Sequence, residues 1–466
     1  MNTRGRRIYG GYNPVLETDL AADAPMNVAF RKVEHAEQTI TPHVRCCVHL
    51  EVDIVKPILE SCCGLDVHRD QVTACISSGP LDRAKEKLVV KEFSTMTYGL
   101  RELSSWLKEY DVETVAMEST GIFWKPIFNI LEDDFEVLLA NAARVKNVPG
   151  LKTDKKDARW IARLLRYGLV PASFIPPRNI RDLRDLTRTR KKLTEEGTRR
   201  KNRIHKILQD ANIKLSTVAT DVFGVSGKAM ITALLEEDEL SPEEIESMTK
   251  GKLRNRIGLL VKAMDGRVTN HHRFLLKMHI EHIESLSSQI NELDEEIYRK
   301  LEPYEKEFGL IRTHPALNKV TGASVIAEIG VDMSQFPDER HLSSWAAICS
   351  GNNESAGKMK NSRTRRGNNY LKTTLVEAAW VASRTKDTCI SAKYYNIARR
   401  RGSKRAAVAI GHQILKDVYY ILSTGEPYKE IGAEAAQNRK SDVRARSIIR
   451  ELGRRGYSVQ KTEASA

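Results

Sequence analysis

Between Cys62 and Gly168 the apolar residues fall into short runs whose lengths and periods leave few folds open. CCGLDVHR (62–69), QVTACISS (71–78) and KLVVKEFS (87–94) are strand-length and apolar. In YGLRELSSWLKEY the apolar Leu100, Leu103, Trp106 and Leu107 recur at helical spacing. ETVAMES then reads as a strand, IFWKPIFNILED as a helix and FEVLLANA as a buried strand. DKKDARWIARLLRYG is a helix opened by acids, which the positive end of a helix dipole favours. Short links let the first three strands form an antiparallel meander. The later strands alternate with helices, as parallel right-handed crossovers require.

That order is the element order of an RNase H-like α/β domain, expected here over residues 61–175. At roughly 150 residues per domain, 466 residues leave room for about two more. From Pro176 the character changes. Arg178 to Lys206 carries twelve bases against four acids, a local excess of eight inside a chain of net charge +14. Solvated helix faces mix signs more evenly, so Arg188, Arg190, Lys191, Lys192, Arg199 and Arg200 are expected to contact nucleic acid. Further on, Leu276, Ile280, Ile283, Leu286, Ile290, Leu293 and Ile297 approach a heptad seam. A helical coiled-coil hairpin is therefore expected over 176–305, with the chain's four neighbouring histidines (271, 272, 279, 282) on its surface. A mainly α C-terminal domain is expected over 306–430, a basic tail over 431–466, and an extension of no assigned role over 1–60.

Composition narrows the setting. No run approaches the 18 to 20 apolar residues a membrane span needs, and the first twenty residues lack the apolar core of a secretory signal. A cytoplasmic location is expected. The seven cysteines (46, 47, 62, 63, 75, 349, 389) form no C-x-x-C pair, and buried free thiols are the expected reading rather than zinc ligands.

Four carboxylates stand where chemistry would use them. Asp66 interrupts an apolar strand, where a charge is costly without a compensating cation or donor. Glu118 ends the fourth strand, at the carboxyl edge where sites in parallel sheets collect. Asp154 and Asp157 are three apart at a helix start and share one face. In this topology all four converge, and their mutual repulsion is relieved by divalent cations; oxygen donors select Mg²⁺ or Mn²⁺. Read separately, the same residues would be a hydrogen-bonded Asp66, a loop glutamate and two helix caps. Farther along, Ser355 lies between Gly351 and Gly357 and is followed by Lys358, Lys360, Arg363, Arg365 and Arg366. Such a serine is either a turn residue in a phosphate-binding loop or a nucleophile with cations around the attacked phosphate, with Ser350 as the nearest competitor.

GLDVHRD, VAMESTGIFW and LKTDKKDARWIARLL resemble the D, E and D-x-x-D blocks of DEDD transposases of insertion sequences, relatives of the Piv-type DNA invertases (the IS-one-ten group). The resemblance continues through GRVTNHHRFLL and ends in LSSWAAICSGNNESAGKMKNSRTRRGNNYLKTTLVEAAW, covering roughly 62 to 425. It implies a RuvC-like N-terminal domain with Asp66, Glu118, Asp154 and Asp157 as metal-binding tetrad, and a C-terminal transposase domain with Ser355 as nucleophile. It also implies work on double-stranded donor and target DNA with a structured guide RNA. The stretch matching the family's P-G-I-G turn reads THPALNKVTGAS and lacks its first glycine.

The reading that follows is a DNA transposase acting as a homo-oligomer, dimer or tetramer. The alternatives are a RuvC-like nuclease using the carboxylates alone, a site-specific invertase, or a nucleic-acid-binding scaffold without catalysis. Thirty helical residues span roughly 45 Å, so long helices between Asp66 and Ser355 lead to a further expectation: a site shared between subunits.

Overall fold

A computed structural model of the chain describes residues 56–82, 86–119, 121–140, 154–170, 173–237, 239–351, 353–355, 358–361, 363–365 and 367–457. Most of the expected N-terminal extension lies outside the described residues. The chain divides into two compact units, one of residues 1–175 with 352–361, the other of 176–351 with 362–466.

The first unit is built on a five-stranded sheet. Its elements are β1 (Ser61–Val67), β2 (Gln71–Ser78), β3 (Lys87–Ser94), α1 (Thr97–Glu109), β4 (Thr114–Glu118), α2 (Trp124–Leu131), β5 (Glu136–Ala140) and α3 (Asp154–Arg166). The strand order is β3-β2-β1-β4-β5, with β1–β2 and β2–β3 antiparallel and β1–β4 and β4–β5 parallel. This is the mixed sheet that the element order called for, and it fits an RNase H-like α/β domain.

Strand alternation sends successive side chains to opposite faces. Cys63, Leu65, Val115 and Met117 meet Leu100, Leu103 and Leu107 of α1 and Ile127 and Leu131 of α2 on one face. Cys62 and Ala116 meet Ile161, Leu164 and Leu165 of α3 on the other. Gly64, on that second face, has no room for a side chain. A Cβ there would stand 2.3 Å from the Ala162 amide nitrogen and 2.4 Å from the Ala158 carbonyl oxygen. Helix α3 therefore crosses β1 in backbone contact. Burial pushes the Cys62 thiol up to about 12 and the Cys75 thiol up to about 11, so both stay protonated and serve as small apolar residues.

The second unit is largely helical. Helix α4 (Arg178–Asp210) is followed by α5 (Leu215–Val218), α6 (Val225–Ala233), α7 (Pro242–Met248) and α8 (Ile257–Met264), which close a small core around Ile204, Met230 and Leu260. The Ser241-Pro242 start of α7 is a capping box, with Ser241 accepting from the Glu244 amide. Helix α9 (Asn270–Leu301) lies antiparallel to α4. Cross-helix partners run in opposite senses: Asp182 with Lys300, Arg190 with Asp294, Glu196 with His282, Asp210 with His272. His272 and His279 are buried in this packing, against the expectation of a surface position.

The remaining helices are α10 (Glu305–Ile311), α11 (Lys319–Ile329), α12 (Glu339–Trp345), α13 (Asn369–Arg384), α14 (Cys389–Arg401), α15 (Ser403–Thr424) and α16 (Ala433–Arg454). A short hairpin, β6 (Asn353–Ser355) and β7 (Lys358–Asn361), stands between α12 and α13 in sequence. The expected basic tail is helical through α16. No helix among the described residues is long and apolar enough to cross a membrane.

Candidate active site

Register places the first two carboxylates. Leu65 of β1 is opposite Met117 of β4 in the parallel pair, and Asp66 and Glu118 are the next residue on each strand. Both belong to the α3 face, because their neighbours Leu65 and Met117 face α1 and α2. Asp66 is buried, with 12% of its side chain exposed, and its Oδ2 lies 3.1 Å from His68 Nε2. Glu118 is half-buried, and the amide that follows it, Ser119 N–H, donates to the Ala140 carbonyl of β5.

Helix α3 packs across β1 on the same face of the sheet. Ala158 lies over Gly64, while the Cys62 thiol donates to the Ala162 carbonyl one turn later. The helix runs opposite to β1, so its N-terminus points to the end of the strand that carries Asp66. Asp157, half-buried, immediately precedes Ala158. Asp154 opens the helix, and its side chain lies outside the described residues. Asp66 and Glu118 thus share one face and one edge, and the backbone of α3 starts toward that edge.

Carboxylate oxygens are the donor set of Mg²⁺ or Mn²⁺, and the buried thiols nearby are unsuited to either. Among the described residues, no group of three or more His, Cys, Asp or Glu is gathered closely enough to hold an ion. The chemistry of the donors fits a hard divalent cation.

Ser355 ends β6, paired with Lys358 of β7 in an antiparallel hairpin rather than lying in an open loop. The side chains of Ser355, Lys358 and Lys360, and the whole of Arg366, lie outside the described residues. Arg363 and Arg365 are exposed. Ser350, the competing serine, bridges to Thr364 at the base of the hairpin. Residues 352–361 fall in the same compact unit as residues 1–175.

The bases of α4 divide into paired and exposed ones. Arg188 donates twice to Glu328 of α11, at 2.7 and 2.8 Å, and its guanidinium lies 4.5 Å from the Tyr370 ring centre. Arg190 donates twice to Asp294 of α9, at 2.5 and 2.9 Å, and Lys191 stands 3.5 Å from Glu377 of α13. Burial lowers the Arg188 pKa, but the Glu328 hydrogen bonds and charge outweigh it and leave the group above its ordinary value. These three cations pair with acids of neighbouring helices. Arg200 pairs with Glu196 on its own helix. Lys192 and Arg199 are exposed, as are Arg178, Lys201, Arg203 and Lys206.

Asp66 is not the only acid within an apolar run of the sequence. Glu328, in ASVIAEIG, meets the same criterion and is buried. His68, two residues from Asp66 in sequence, is its neighbour in the fold as well.

Residues 63–213 match the DEDD transposase model of the IS110 type, described as a transposase. Residues 309–396 match a second model, described as the transposase IS116/IS110/IS902 family. The chain is also 21% identical over 291 residues to the transposase for insertion sequence element IS1533 of Leptospira borgpetersenii, an alignment spanning 62% of this chain and 74% of that protein.

Proposed function

We propose, for a chain that belongs to the IS110 family of DEDD transposases, that it cleaves and rejoins DNA strands at the carboxyl edge of its sheet. The observation that supports the reading is the register that puts Asp66 and Glu118 side by side at one end of β1 and β4, on the sheet face that α3 packs against.

In this reading Asp66, Glu118, Asp154 and Asp157 hold Mg²⁺ or Mn²⁺. When bound, such ions neutralise the carboxylates and the charge of the scissile phosphate. His68 orients Asp66 through its 3.1 Å contact. The Ser355 hydroxyl attacks the phosphorus: a serine–phosphate bond forms, the bond to one deoxyribose oxygen breaks, and the proton passes to that leaving oxygen. Attack on the serine phosphodiester by the hydroxyl of another strand reverses the step and joins the two DNAs. The attacked phosphate carries negative charge, and the basic residues of 358–366 supply compensation.

Partners follow from the same reading: double-stranded donor and target DNA, a structured guide RNA, and further copies of the chain, with the heptad seam of α9 as a coiled-coil element. A strand-transfer assay with purified protein, Mg²⁺, element DNA and its RNA tests it. Joined product from the parent chain, absent with Asp66→Asn, is expected. Full activity of Asp66→Asn overturns the assignment.

A further inference from the structure

Residues 388–416 contain seven bases and no acid. They belong to the helical pair α14 and α15, which is joined through Gly402 alone. Ile390 and Tyr394 of α14 and Ala406, Ala407 and Ile410 of α15 are buried, and Lys393 donates to Gln413 across the pair. The tip of the pair, residues 399–405, is exposed throughout. Five of its seven residues are cations: Arg399, Arg400, Arg401, Lys404 and Arg405.

The bases of α4 show how this chain places cations that serve its fold: Arg188, Arg190 and Arg200 each meet an acid. The tip does the opposite. Its five cations have no acid partner among the described residues, and Arg400 donates only to the Asn396 carbonyl of its own helix. Arg399, Arg400 and Arg401 complete the last turn of α14, where the negative end of the helix dipole favours them. Lys404 and Arg405 stand at the opposite, positive end of the next helix, where cations are unfavourable. That end has no acid in its first turn and no side-chain cap, because Gly402 precedes it. Gly402 has a φ of +82°, which favours glycine, although a Cβ there would meet open space. The amides of Ser403, Lys404 and Arg405 have no carbonyl within the helix to donate to. Five mutually repelling cations beside an uncapped positive helix end make one demand, for several negative charges together.

We infer that the α14–α15 tip is a contact site for the backbone phosphates of a nucleic-acid duplex. A single phosphate would leave most of the five cations uncompensated, whereas a duplex backbone offers a row of them. A duplex also fits better than a single strand, since unpaired bases are held by stacking on aromatic side chains and residues 399–405 contain none. Contacts of this kind position a protein on the duplex and do not read its sequence. The inference rests on the reading of the chain as one that works on DNA, and not on the serine step.

Binding of the full chain to a DNA duplex and to an RNA duplex of equal length, over a range of salt and without divalent ions, tests it. On DNA each lost phosphate contact removes about 0.9 from the slope of log K against log salt. Arg401→Gln with Lys404→Gln and Arg405→Gln should flatten that slope by about two to three units. A control, Lys228→Gln with Arg299→Gln and Lys429→Gln, removes the same charge from cations that already have acid partners and should flatten it by less than about one unit. Ser403→Asp supplies the missing negative charge from within the chain: it should raise the thermal midpoint and yet weaken duplex binding. A tip that is merely solvated predicts the first effect without the second. Loss on one duplex type names the source of the phosphates, and loss on both assigns the backbone chemistry they share. Triple-variant slopes equal to the parent's on both duplexes, equal flattening by the control, or parent-like binding by Ser403→Asp overturns the inference. A parent chain that binds duplexes and cleaves none overturns the catalytic reading instead, and the slopes then judge the tip alone.

Discussion

Asp66 and Glu118 are neighbours across two parallel strands, each one residue beyond the Leu65–Met117 pair that ends the ladder between β1 and β4. That relationship needs no loop or flexible segment to create it. It follows from register, and register here is set by the apolar residues that must face α1 and α2. A slip of one residue would turn both carboxylates into the wrong core.

Gly64 sets how closely α3 packs on β1. Gly64→Ala would drive a methyl into the backbone of α3 at Ala158 and Ala162. Overpacking of this kind typically costs about 1–3 kcal/mol, and a rigid helix backbone leaves little room for relief. The urea midpoint should fall accordingly, and strand cleavage should fall further than stability alone explains, because the N-terminus of α3 is displaced. Cleavage at the parent rate in a folded Gly64→Ala chain would show that α3 has no part in the site.

Divalent ions should stabilise the parent protein by mass action, since a ligand that binds the folded state alone raises the unfolding midpoint. Titration with Mn²⁺ is expected to raise that midpoint in the parent and to raise it much less in Asp66→Asn and Glu118→Gln. A chelator should return the parent to its metal-free midpoint. Equal stabilisation of all three proteins places the ions elsewhere.

His279 gives the α4–α9 pair a pH dependence. Burial holds its pKa below the ordinary 6.5, and Arg200 and Arg203 of α4 and His282 of its own helix act in the same direction. The unfolded chain therefore takes up a proton before the folded one does. Stability from this group is complete above pH 6.5 and declines as the pH falls below it, toward the lower folded value. Thermal midpoints measured from pH 8 to 5 should drop more steeply for the parent than for His279→Leu. Parallel curves would refute the assignment.

Nucleic-acid binding should depend on the outward bases of α4. Each phosphate contact contributes about −0.9 to the slope of log K against log salt on duplex DNA. Lys192→Gln with Arg199→Gln should flatten that slope by about one to two units. Arg190→Gln should leave it unchanged and instead destabilise the fold, because Asp294 loses its partner. A slope insensitive to Lys192 and Arg199 means that this face of α4 does not meet nucleic acid.

The sheet was legible because apolar period and element order are written locally, and the Asp66–Glu118 pairing follows once strand order is known. The helices over 178–210 and 270–301 followed from their apolar periodicity. The inward turn of Arg188, Arg190 and Lys191 was not legible. Their partners Glu328, Asp294 and Glu377 lie about a hundred residues or more downstream, and a count of bases carries no information about which acids will face them. Buried His272 and His279 escaped for a related reason: polar neighbours in sequence disguised positions that face α4. The hairpin around Ser355 looked like an open loop because its strands are three and four residues long and polar, too short for a period to show.

The most direct test of the account traps the covalent step. Parent protein incubated with its nucleic-acid substrates and Mg²⁺, then denatured, should yield a protein–DNA adduct whose attachment maps by mass spectrometry to Ser355. Ser355→Ala and Asp66→Asn should each bind DNA and yield none. Strand cleavage by Ser355→Ala at the parent rate, with free DNA ends and no adduct in either protein, would contradict the account and leave hydrolysis by the carboxylates alone.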